Sequence, residues 1–359
     1  MEDIKYLLIK FFEENKRDLP FRKERNAYHI LLSEIIMQQT RIDQGTPYFL
    51  RIVEKFPTIN HLAAAAEDEL LRLWQGLGYY SRARNLHATA KNIADNYGGI
   101  IPNAFAELRK LKGIGDYTAA AVASIAFNEP VPVVDGNVMR VVARLFAIDV
   151  PVNSAQGKNI IKEKLLTIFL AEEPGLFNEA IMEFGALQCT PANPNCPRCV
   201  LKGYCQAYKM SATHKFPVKL APQEVKARYL NYLVLLSNNG RIWMRQRNDK
   251  DIWKNLYEFP LIETENVVAN ETLLHINFWN KHLSFPEKVN ITFQKTVRKS
   301  HKLTHRLLNI SFTFAAVDEI FDYFSDKGFI SVSIEEAEKK PKPIVIANIL
   351  TEFINCKLF

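Results

Sequence analysis

The sequence contains no run of eighteen apolar residues, and its first six residues are not a basic segment leading into an apolar one. A membrane-spanning helix needs about 20 mostly apolar residues, and a secretory leader needs a charged start followed by an apolar core. We therefore expect neither membrane insertion nor secretion, and we expect a cytoplasmic location. The chain also shows no internal repeat and no low-complexity tract.

Cysteine is scarce, with five in 359 residues, yet four of them follow one another as Cys189-x6-Cys196-x2-Cys199-x5-Cys205. Thiols this close cannot all form disulfides in a reducing cytosol, and the irregular spacing suits a [4Fe-4S] cluster that takes one sulfur per iron. Structural zinc usually binds two short Cys-x2-4-Cys pairs, of which only one is present, so zinc stays the weaker alternative. The fifth cysteine, Cys356, is interpreted as a free, partly buried thiol.

Length and patterning predict two domains. Apolar residues recur at helical spacing up to about residue 205, which predicts an all-helical region over 1–208. A Lys- and Pro-rich linker is predicted over 209–228. Beyond it, strand-like runs flank Asn238-Asn239-Gly240, a strong hairpin signal, and a closing helix is predicted near Ile344 to Asn355. The region 229–359 is therefore predicted to be a separate α+β domain.

The formal net charge of +7 permits binding to a polyanion, although many enzymes that bind no nucleic acid have similar values. A more specific signal is Leu111-Lys112-Gly113-Ile114-Gly115, which joins two predicted helices. Gly113 and Gly115 let backbone N–H groups face outward at a helix start, where a DNA phosphate can bind. A lone Gly-x-Gly is also a common turn between helices, so this motif alone leaves both interpretations open.

Glu34 lies on a predicted helix among mostly apolar neighbours, with Ile30, Leu31 and Met37 three or four residues away. Removal from water should raise the pKa of this carboxyl, so that it can hold and donate a proton near neutral pH. The alternative is a glutamate at the edge of the core that pairs with an arginine.

Asp135 precedes a predicted helix and is most simply its N-cap. A carboxylate at a helix start stays ionised, so that Asp135 beside a protonated Glu34 would form the acid and anion pair that glycosidic cleavage needs.

Taken together, the cysteine spacing, the Leu-x-Gly-Ile-Gly turn and Val134-Asp135-Gly136-Asn137-Val138 resemble the endonuclease III superfamily of DNA glycosylases. Ser33-Glu34, Gln38-Gln39-Thr40 and Gly76-Leu77-Gly78-Tyr79-Tyr80 are similar to its MutY-type branch. The resemblance runs from about Leu19 to Cys205. It implies a helix-hairpin-helix glycosylase fold with a six-helix barrel over 27–131 and an iron-sulfur part made of 1–26 with 132–208.

The resemblance implies a monomeric enzyme of base excision repair that binds double-stranded DNA and removes adenine paired with 8-oxoguanine or, less selectively, with guanine. Glu34 would protonate the extruded adenine and Asp135 would stabilise the oxocarbenium-like sugar. Tyr117 stands where strand-cleaving relatives carry a Schiff-base lysine. Because a phenol cannot form that imine, we expect little or no strand cleavage.

Further roles are implied residue by residue. Asn137 would support the catalytic carboxylates. The residues implied to line the adenine pocket are Arg17, Phe21, Arg22, Met37 and Glu179, and those implied to enter the duplex around the lesion pair are Gln39, Thr40, Leu77 and Tyr79. Ordinary core packing is an equally good interpretation of Phe21, Met37 and Leu77.

The second half resembles the Nudix-like domain at the end of this family through Trp253-x-Asn255-Leu256-Tyr257-Glu258-Phe259-Pro260. It lacks the box of glutamates that would bind metal for pyrophosphate hydrolysis, which favours lesion recognition over a second activity. The family's Phe-Ser-His loop corresponds to Leu303-Thr304-His305. Thr304 keeps the hydroxyl, whereas Leu303 cannot stack as an aromatic ring does.

Two alternatives stay open from the sequence. A glycosylase with lyase activity is disfavoured by Tyr117 and Glu34. A DNA-binding or redox-sensing module with an inert pocket is disfavoured by the Glu34 and Asp135 pair, because a protein that only binds has no need to desolvate a carboxylate.

Overall fold

Helices occupy the first two hundred residues, and strands dominate the remainder. The computed structural model describes residues 2–221, 224–248, 251–283, 285, 289–318 and 327–356. The helices run α1 Glu2–Asn15, α2 Ala27–Met37, α3 Ile42–Lys55, α4 Ile59–Ala64, α5 Glu67–Leu73, α6 Ser81–Tyr97, α7 Phe105–Leu108, α8 Asp116–Phe127, α9 Gly136–Leu145, α10 Ala155–Leu166, α11 Pro174–Leu187, α12 Gln206–Lys209, α13 Asn270–Leu273, α14 Ile276–Leu283, α15 Ile334–Lys339 and α16 Ile344–Cys356. The strands are β1 Lys226–Ser237, β2 Arg241–Gln246, β3 Tyr257–Glu258, β4 Leu261–Thr264, β5 Ile291–Lys302, β6 Arg306–Val317 and β7 Phe329–Ser333.

Contacts between residues divide the chain into two units. The helical unit consists of residues 1–65 and 84–222, and the sheet unit consists of 66–83 and 223–359. The predicted architecture, an all-helical region followed by an α+β domain, is confirmed. The sequence predicts that residues 66–83 belong to the helical region, whereas this segment makes most of its contacts within the sheet unit. The exact domain limits remain a prediction.

Local sequence explains where the central helices of the helical unit begin. The Asn26 side chain accepts hydrogen bonds from the N–H groups of Tyr28 and His29 and so caps α2. Helix α8 begins directly after Gly115, and its alanines Ala119, Ala120, Ala121 and Ala123 are all buried. These small side chains let α2 and α11 pack closely against α8.

The sheet unit is built on β1 and β6, which pair in parallel from Lys226↔Arg306 to Ser237↔Val317. The strand order is β3-β2-β1-β6-β5, with β4 pairing to β1 and β7 to β2. The predicted hairpin is confirmed, since β1 and β2 are antiparallel and Gly240 between them has φ +75°. Leu233, Trp243, Trp279 and Ala315 belong to the core on one face, and on α16 Phe353 stacks on Phe314.

The segment predicted as a linker is partly ordered against the helical unit. Ala207, Ala212 and Phe216 form a small apolar cluster, and the Val152 N–H donates to the Val218 carbonyl at 3.0 Å. Strand β1 begins at Lys226, three residues before the predicted start of the second domain. The side chain of Cys356 lies outside the described part of the chain, so its interpretation as a free thiol is untested.

Candidate functional site

Glu34 lies in the last turn of α2 and is partly buried, between the buried residues Ser33 and Ile35. The Tyr117 hydroxyl on α8 donates a hydrogen bond to Glu34 Oε2. Burial raises the pKa of Glu34 to about 7, although the Tyr117 bond and the Arg22 charge act in the opposite direction. The predicted rise in pKa is therefore present, and the cause is the predicted one. The carboxyl carries a proton in a substantial fraction of molecules at neutral pH.

Asp135 is the N-cap of α9, as its position in the sequence predicted. Its Oδ1 accepts from the Val138 N–H at 2.7 Å, and its Oδ2 accepts from Asn137 Nδ2 at 2.8 Å. Burial raises the pKa of Asp135 somewhat, against these hydrogen bonds, which favour the anion. The charge of Asp135 also contributes to the raised pKa of Glu34 and of Tyr117, which places the two carboxyl groups in one site.

Two of the predicted pocket residues, Arg17 and Arg22, are held by a glutamate that sequence reasoning missed. Glu183 on α11 is fully buried and accepts from Arg17 Nε at 2.7 Å and from Arg22 Nη1 at 2.8 Å. Burial alone would raise its pKa, but the bonds from Arg17 and the charge of Arg22 lower the pKa of Glu183 to about 2. The predicted Glu179 lies one helical turn earlier, with Oε1 at 3.4 Å from Arg22 Nε. A second glutamate four residues after Glu179 was the available signal.

The apolar pocket residues behave as walls. Phe21 is buried and packs edge-on against Phe49, with ring centroids 5.6 Å apart, while Met37 is partly buried at the end of α2. Met182 was not predicted. It is buried on α11 and its sulfur lies 3.9 Å from the Tyr117 hydroxyl oxygen. Core packing and a role in the pocket are compatible for these three side chains.

Asn137 connects Asp135 to the cysteine segment through Arg140. Arg140 donates from Nη2 to Asn137 Oδ1 at 2.9 Å and to the Gly185 carbonyl at 2.6 Å, and from Nε to the Cys189 carbonyl at 2.6 Å. The buried Arg140 guanidinium thus orients the Asn137 amide, and that amide orients the Asp135 carboxylate. Arg140 was not predicted from the sequence.

The four predicted cluster ligands line one pocket between α9, α11 and the segment that follows α11. Its lining includes Cys189, Cys196, Cys199, Cys205, the apolar side chains Val141, Leu145, Phe184 and Leu201, and Arg144. Arg144 Nη1 lies 3.4 Å from Cys189 Sγ. Within the described residues, no three His, Cys, Asp or Glu side chains converge on a position for one metal ion. The four thiols are not disulfide-bonded.

The residues predicted to contact DNA from the helical unit lie on turns. Gly113 has φ +78°, and a Cβ there would meet Asn85 Cβ at 2.6 Å, so the turn requires glycine. Gly115 is the N-cap of α8 and faces open space. Gln39 is exposed with φ +57° just after α2, and Thr40 follows it.

The remaining predicted residues belong to the sheet unit. Leu77 is buried and Tyr79 is 42% exposed with φ +47°. Thr304 and His305 are exposed in the tight turn between β5 and β6, which the Leu303 N–H closes by donating to the Arg306 carbonyl at 2.8 Å. The structure thus brings Glu34, Tyr117 and Asp135 together, while Leu77, Tyr79, Thr304 and His305 belong to the other unit.

Comparison with known proteins decides the family. Residues 32–165 match the HhH-GPD superfamily of base excision DNA repair proteins, and residues 231–352 match a NUDIX domain. The adenine DNA glycosylase of Buchnera aphidicola subsp. Schizaphis graminum is 33% identical over 309 residues, which cover 85% of this chain and 87% of that protein. The chain belongs to the adenine DNA glycosylase family. It is accordingly an enzyme of the class that hydrolyses N-glycosyl bonds, and its second domain is Nudix-like.

Solved structures of relatives agree with this assignment. A thermostable thymine-DNA glycosylase superimposes with a TM-score of 0.54 at 26% identity, covering 58% of this chain and 96% of that one. A non-covalent endonuclease III–DNA complex gives a TM-score of 0.50 at 27% identity, with the same coverage of both chains. The predicted resemblance is confirmed, and so is the helix-hairpin-helix glycosylase fold with a Nudix-like second domain. Among the residues that the structure describes, no helix is long and apolar enough to cross a membrane.

Proposed function

We propose that this enzyme hydrolyses the N-glycosidic bond of adenine paired with 8-oxoguanine and, less selectively, with guanine, without cutting the DNA strand. The observation that carries the proposal is the pairing of Glu34, whose pKa burial raises to about 7, with Asp135 in one site of an adenine glycosylase fold. One carboxyl holds a proton and the other is hydrogen-bonded as an anion, which is the division that acid-assisted glycosidic cleavage requires.

Glu34 is the general acid in this proposal. Tyr117 donates to Oε2, so the proton of the neutral carboxyl resides on Oε1 and is available to a base. Transfer of that proton to a ring nitrogen of the extruded adenine turns a poor anionic leaving group into a neutral one. The glycosidic electron pair then leaves with adenine, and positive charge develops on the sugar.

Asp135 stabilises that charge. Both of its oxygens accept hydrogen bonds and keep lone-pair density for the sugar, and Asn137 together with the Val138 N–H restricts rotation of the side chain. A water molecule then adds to the sugar carbon and gives a proton to the Glu34 carboxylate, which restores the protonated Glu34 and ionised Asp135 and leaves an abasic site.

Arg22 and Glu179 form the polar side of the proposed adenine pocket, and Phe21 and Met37 form apolar walls. The contacts of Glu183 with Arg17 and Arg22 support their placement, because a guanidinium already held by hydrogen bonds and ion pairs loses little further freedom on binding. A strand-cleaving lyase reaction needs an amine that forms an imine with the sugar. Tyr117 supplies a phenol instead, and its hydroxyl is engaged by Glu34.

The donor set at the cysteine pocket fits a [4Fe-4S] cluster held by Cys189, Cys196, Cys199 and Cys205. Four thiols line one mostly apolar pocket, and they follow one another in the sequence as Cys-x6-Cys-x2-Cys-x5-Cys. This spacing favours one thiolate per iron over four thiolates on one zinc. A bound cluster would cross-link the segment after α11 and supply a centre able to change oxidation state.

For DNA, the turn at Gly113 and Gly115 would bind a phosphate, and Gln39 and Thr40 of the helical unit would enter the space that the extruded base leaves. Leu77 and Tyr79 of the sheet unit are proposed to contact the duplex from that unit. Thr304, exposed on the turn between β5 and β6, would read 8-oxoguanine through its hydroxyl, beside His305. A monomeric state and a cytoplasmic location complete the proposal.

The test is product analysis under single-turnover conditions on duplexes with adenine opposite 8-oxoguanine. We expect free adenine and an abasic strand that stays intact until alkali is added. A strand nicked without alkali would support a lyase instead, and tight binding without release of adenine would support a non-catalytic module. Absorbance of the purified protein near the iron-sulfur charge-transfer band tests the cluster, and its absence together with stoichiometric zinc would overturn that assignment.

A further inference from the structure

One aspartate of the sheet unit is contacted by three arginines. Asp251 Oδ1 accepts from Arg306 Nη1 at 2.7 Å and from Arg228 Nη1 at 3.0 Å, and Oδ2 accepts from Arg247 Nη2 at 2.9 Å and lies 2.6 Å from Arg228 Nη2. Arg228 and Arg247 are 16% and 5% exposed, so these contacts are largely removed from water. Partly buried, multiply bonded ion pairs hold geometry far better than single surface pairs do.

The network is anchored in the core at one end. Arg247 Nη1 donates to Glu258 Oε2 at 2.9 Å, and Glu258 is 1% exposed on β3. The Tyr232 hydroxyl of β1 also donates to Glu258 Oε2, at 3.1 Å. Arg247 is bonded to the buried Glu258 and to Asp251, so it fixes the position of Asp251 relative to the sheet.

At its other end the network reaches the 301–305 turn, which comprises the last two residues of β5 and the three residues that join it to β6. Arg306 is the first residue of β6 and directly follows this turn. Its side chain is 40% exposed and is bonded to Asp251. At the opposite end of the turn, the ring of His301 lies 6.2 Å from the ring of Trp253, centroid to centroid. The short segment 251–253 therefore contacts both ends of the turn, through Asp251 and Trp253.

We propose that Asp251 is a positioning residue for lesion discrimination, which holds the 301–305 turn through Arg306 so that Thr304 is presented in one orientation. The inference rests on the proposed role of Thr304 in reading 8-oxoguanine. Thr304 and His305 are exposed, whereas the two ends of the turn contact Asp251 and Trp253, so these contacts at the ends hold the turn. A threonine replaces the serine expected for the family and leucine replaces its aromatic neighbour, which leaves the hydroxyl as the group whose direction matters.

The chain offers a matched control for the charge itself. Glu263 Oε1 and Oε2 each accept from Arg228 at 2.6 Å, yet Glu263 makes no bond to Arg306. Glu263→Gln therefore removes one negative charge from the same arginine without touching the turn, whereas Asp251→Asn removes the charge that holds Arg306.

The experiment compares single-turnover rates of adenine release opposite 8-oxoguanine and opposite guanine, as a ratio within each preparation. Using a ratio cancels losses of active protein. We expect Thr304→Ala to lower the ratio about tenfold, Asp251→Asn to lower it about fivefold or more, and Glu263→Gln to change it less than about twofold. Asp251→Asn combined with Thr304→Ala should give the ratio of Thr304→Ala alone, because a positioning residue has nothing to add once the positioned hydroxyl is gone.

The outcomes separate the two claims. If Thr304→Ala leaves the ratio unchanged, the proposed reading role of the turn is wrong and the positioning role falls with it. If Thr304→Ala lowers the ratio and Asp251→Asn does not, only the positioning role is wrong. Multiplicative effects in the double variant, an equal fall of both rates in Asp251→Asn, or a matching fall in Glu263→Gln would each overturn the route through Arg306.

Discussion

Each unit contains a carboxyl group for which we propose a function, and the pKa values of these two groups are shifted in opposite directions. In the helical unit, burial beside a phenol raises the pKa of Glu34 to about 7. In the sheet unit, burial also acts to raise the pKa of Asp251, yet hydrogen bonds from Arg228 and Arg306 outweigh it and hold that pKa well below its usual range. Asp251 is held by three arginines, whereas Glu34 is bonded to a phenol and is more deeply buried, so cation contacts and burial together set the opposite directions of the two pKa shifts.

Among the variants that test this comparison, the one that removes the proton of Glu34 should have the largest effect on the rate of adenine release. Glu34→Gln keeps the shape of the side chain and its bond to Tyr117 but has no transferable proton, so the single-turnover rate of adenine release should fall by about 10³-fold. Affinity for the mispaired duplex, measured by fluorescence anisotropy, should stay within a few fold. Normal turnover in this variant would mean that another group delivers the proton.

A second prediction concerns Glu183, the helical unit's own counterpart of Asp251. Glu183→Gln leaves Arg17 and Arg22 without their buried anion, which costs about 3 kcal/mol of unfolding free energy near pH 7. The lowered pKa of about 2 means that the stabilisation is present above pH 4.5 and is lost as pH falls through 2, so the variant should resemble the wild type in acid.

Thermal unfolding monitored by circular dichroism at several pH values measures this difference. Asp18→Asn is a matched control, since Asp18 is 81% exposed and lies near the exposed Lys23. A loss of stability in Glu183→Gln that persists unchanged at pH 2 would contradict the ion-pair explanation.

The third prediction concerns the free energy of unfolding, which ionisation of the buried Glu34 carboxyl should lower. Its pKa is raised from 4.5 to about 7, so the carboxyl favours the folded state below pH 4.5 and this preference is lost as pH rises through 7. Glu34→Gln cannot lose a proton, so it should be more stable than the wild type at pH 8, by at most about 3 kcal/mol, with little difference at pH 4. Urea unfolding at the two pH values tests this, and equal stability at pH 8 would argue that the carboxyl is well solvated.

The smallest expected effect is that of Tyr117→Phe. The Tyr117 hydrogen bond lowers the pKa of Glu34 against the effect of burial, so its removal should raise that pKa by about one unit. The high-pH limb of the adenine-release profile should move upward by the same amount, and the strand should remain uncut. A downward shift would mean that the phenol stabilises the protonated form.

How much of this could be read from the sequence depends on how far apart the interacting residues are along the chain. The setting of Glu34, the cap at Asp135 and the hairpin at Gly240 are local, and periodicity or turn chemistry predicted each of them. The cysteine spacing is local as well. Glu183 and Arg17 are 166 positions apart, and Asp251 and Arg306 are 55 positions apart, so no local sequence pattern predicts these pairings.

The sequence did not predict that residues 66–83 belong to the sheet unit, and the reason is the same. Their helical periodicity is similar to that of the segments on either side, and periodicity does not say which core a helix joins. Within the sheet unit these residues bond to distant partners, for example through Asn255 Nδ2, which donates to Glu67 Oε1 at 2.5 Å. Such side-chain pairs are visible only once the fold is known.

The pH dependence of single-turnover adenine release, with adenine opposite 8-oxoguanine, tests the central claim most directly. If protonated Glu34 acts beside ionised Asp135, the rate should fall about tenfold per pH unit above 7 and fall again in acid as Asp135 takes up a proton. A rate that stays constant from pH 6 to pH 9 would contradict the assignment of a sheltered acid at residue 34.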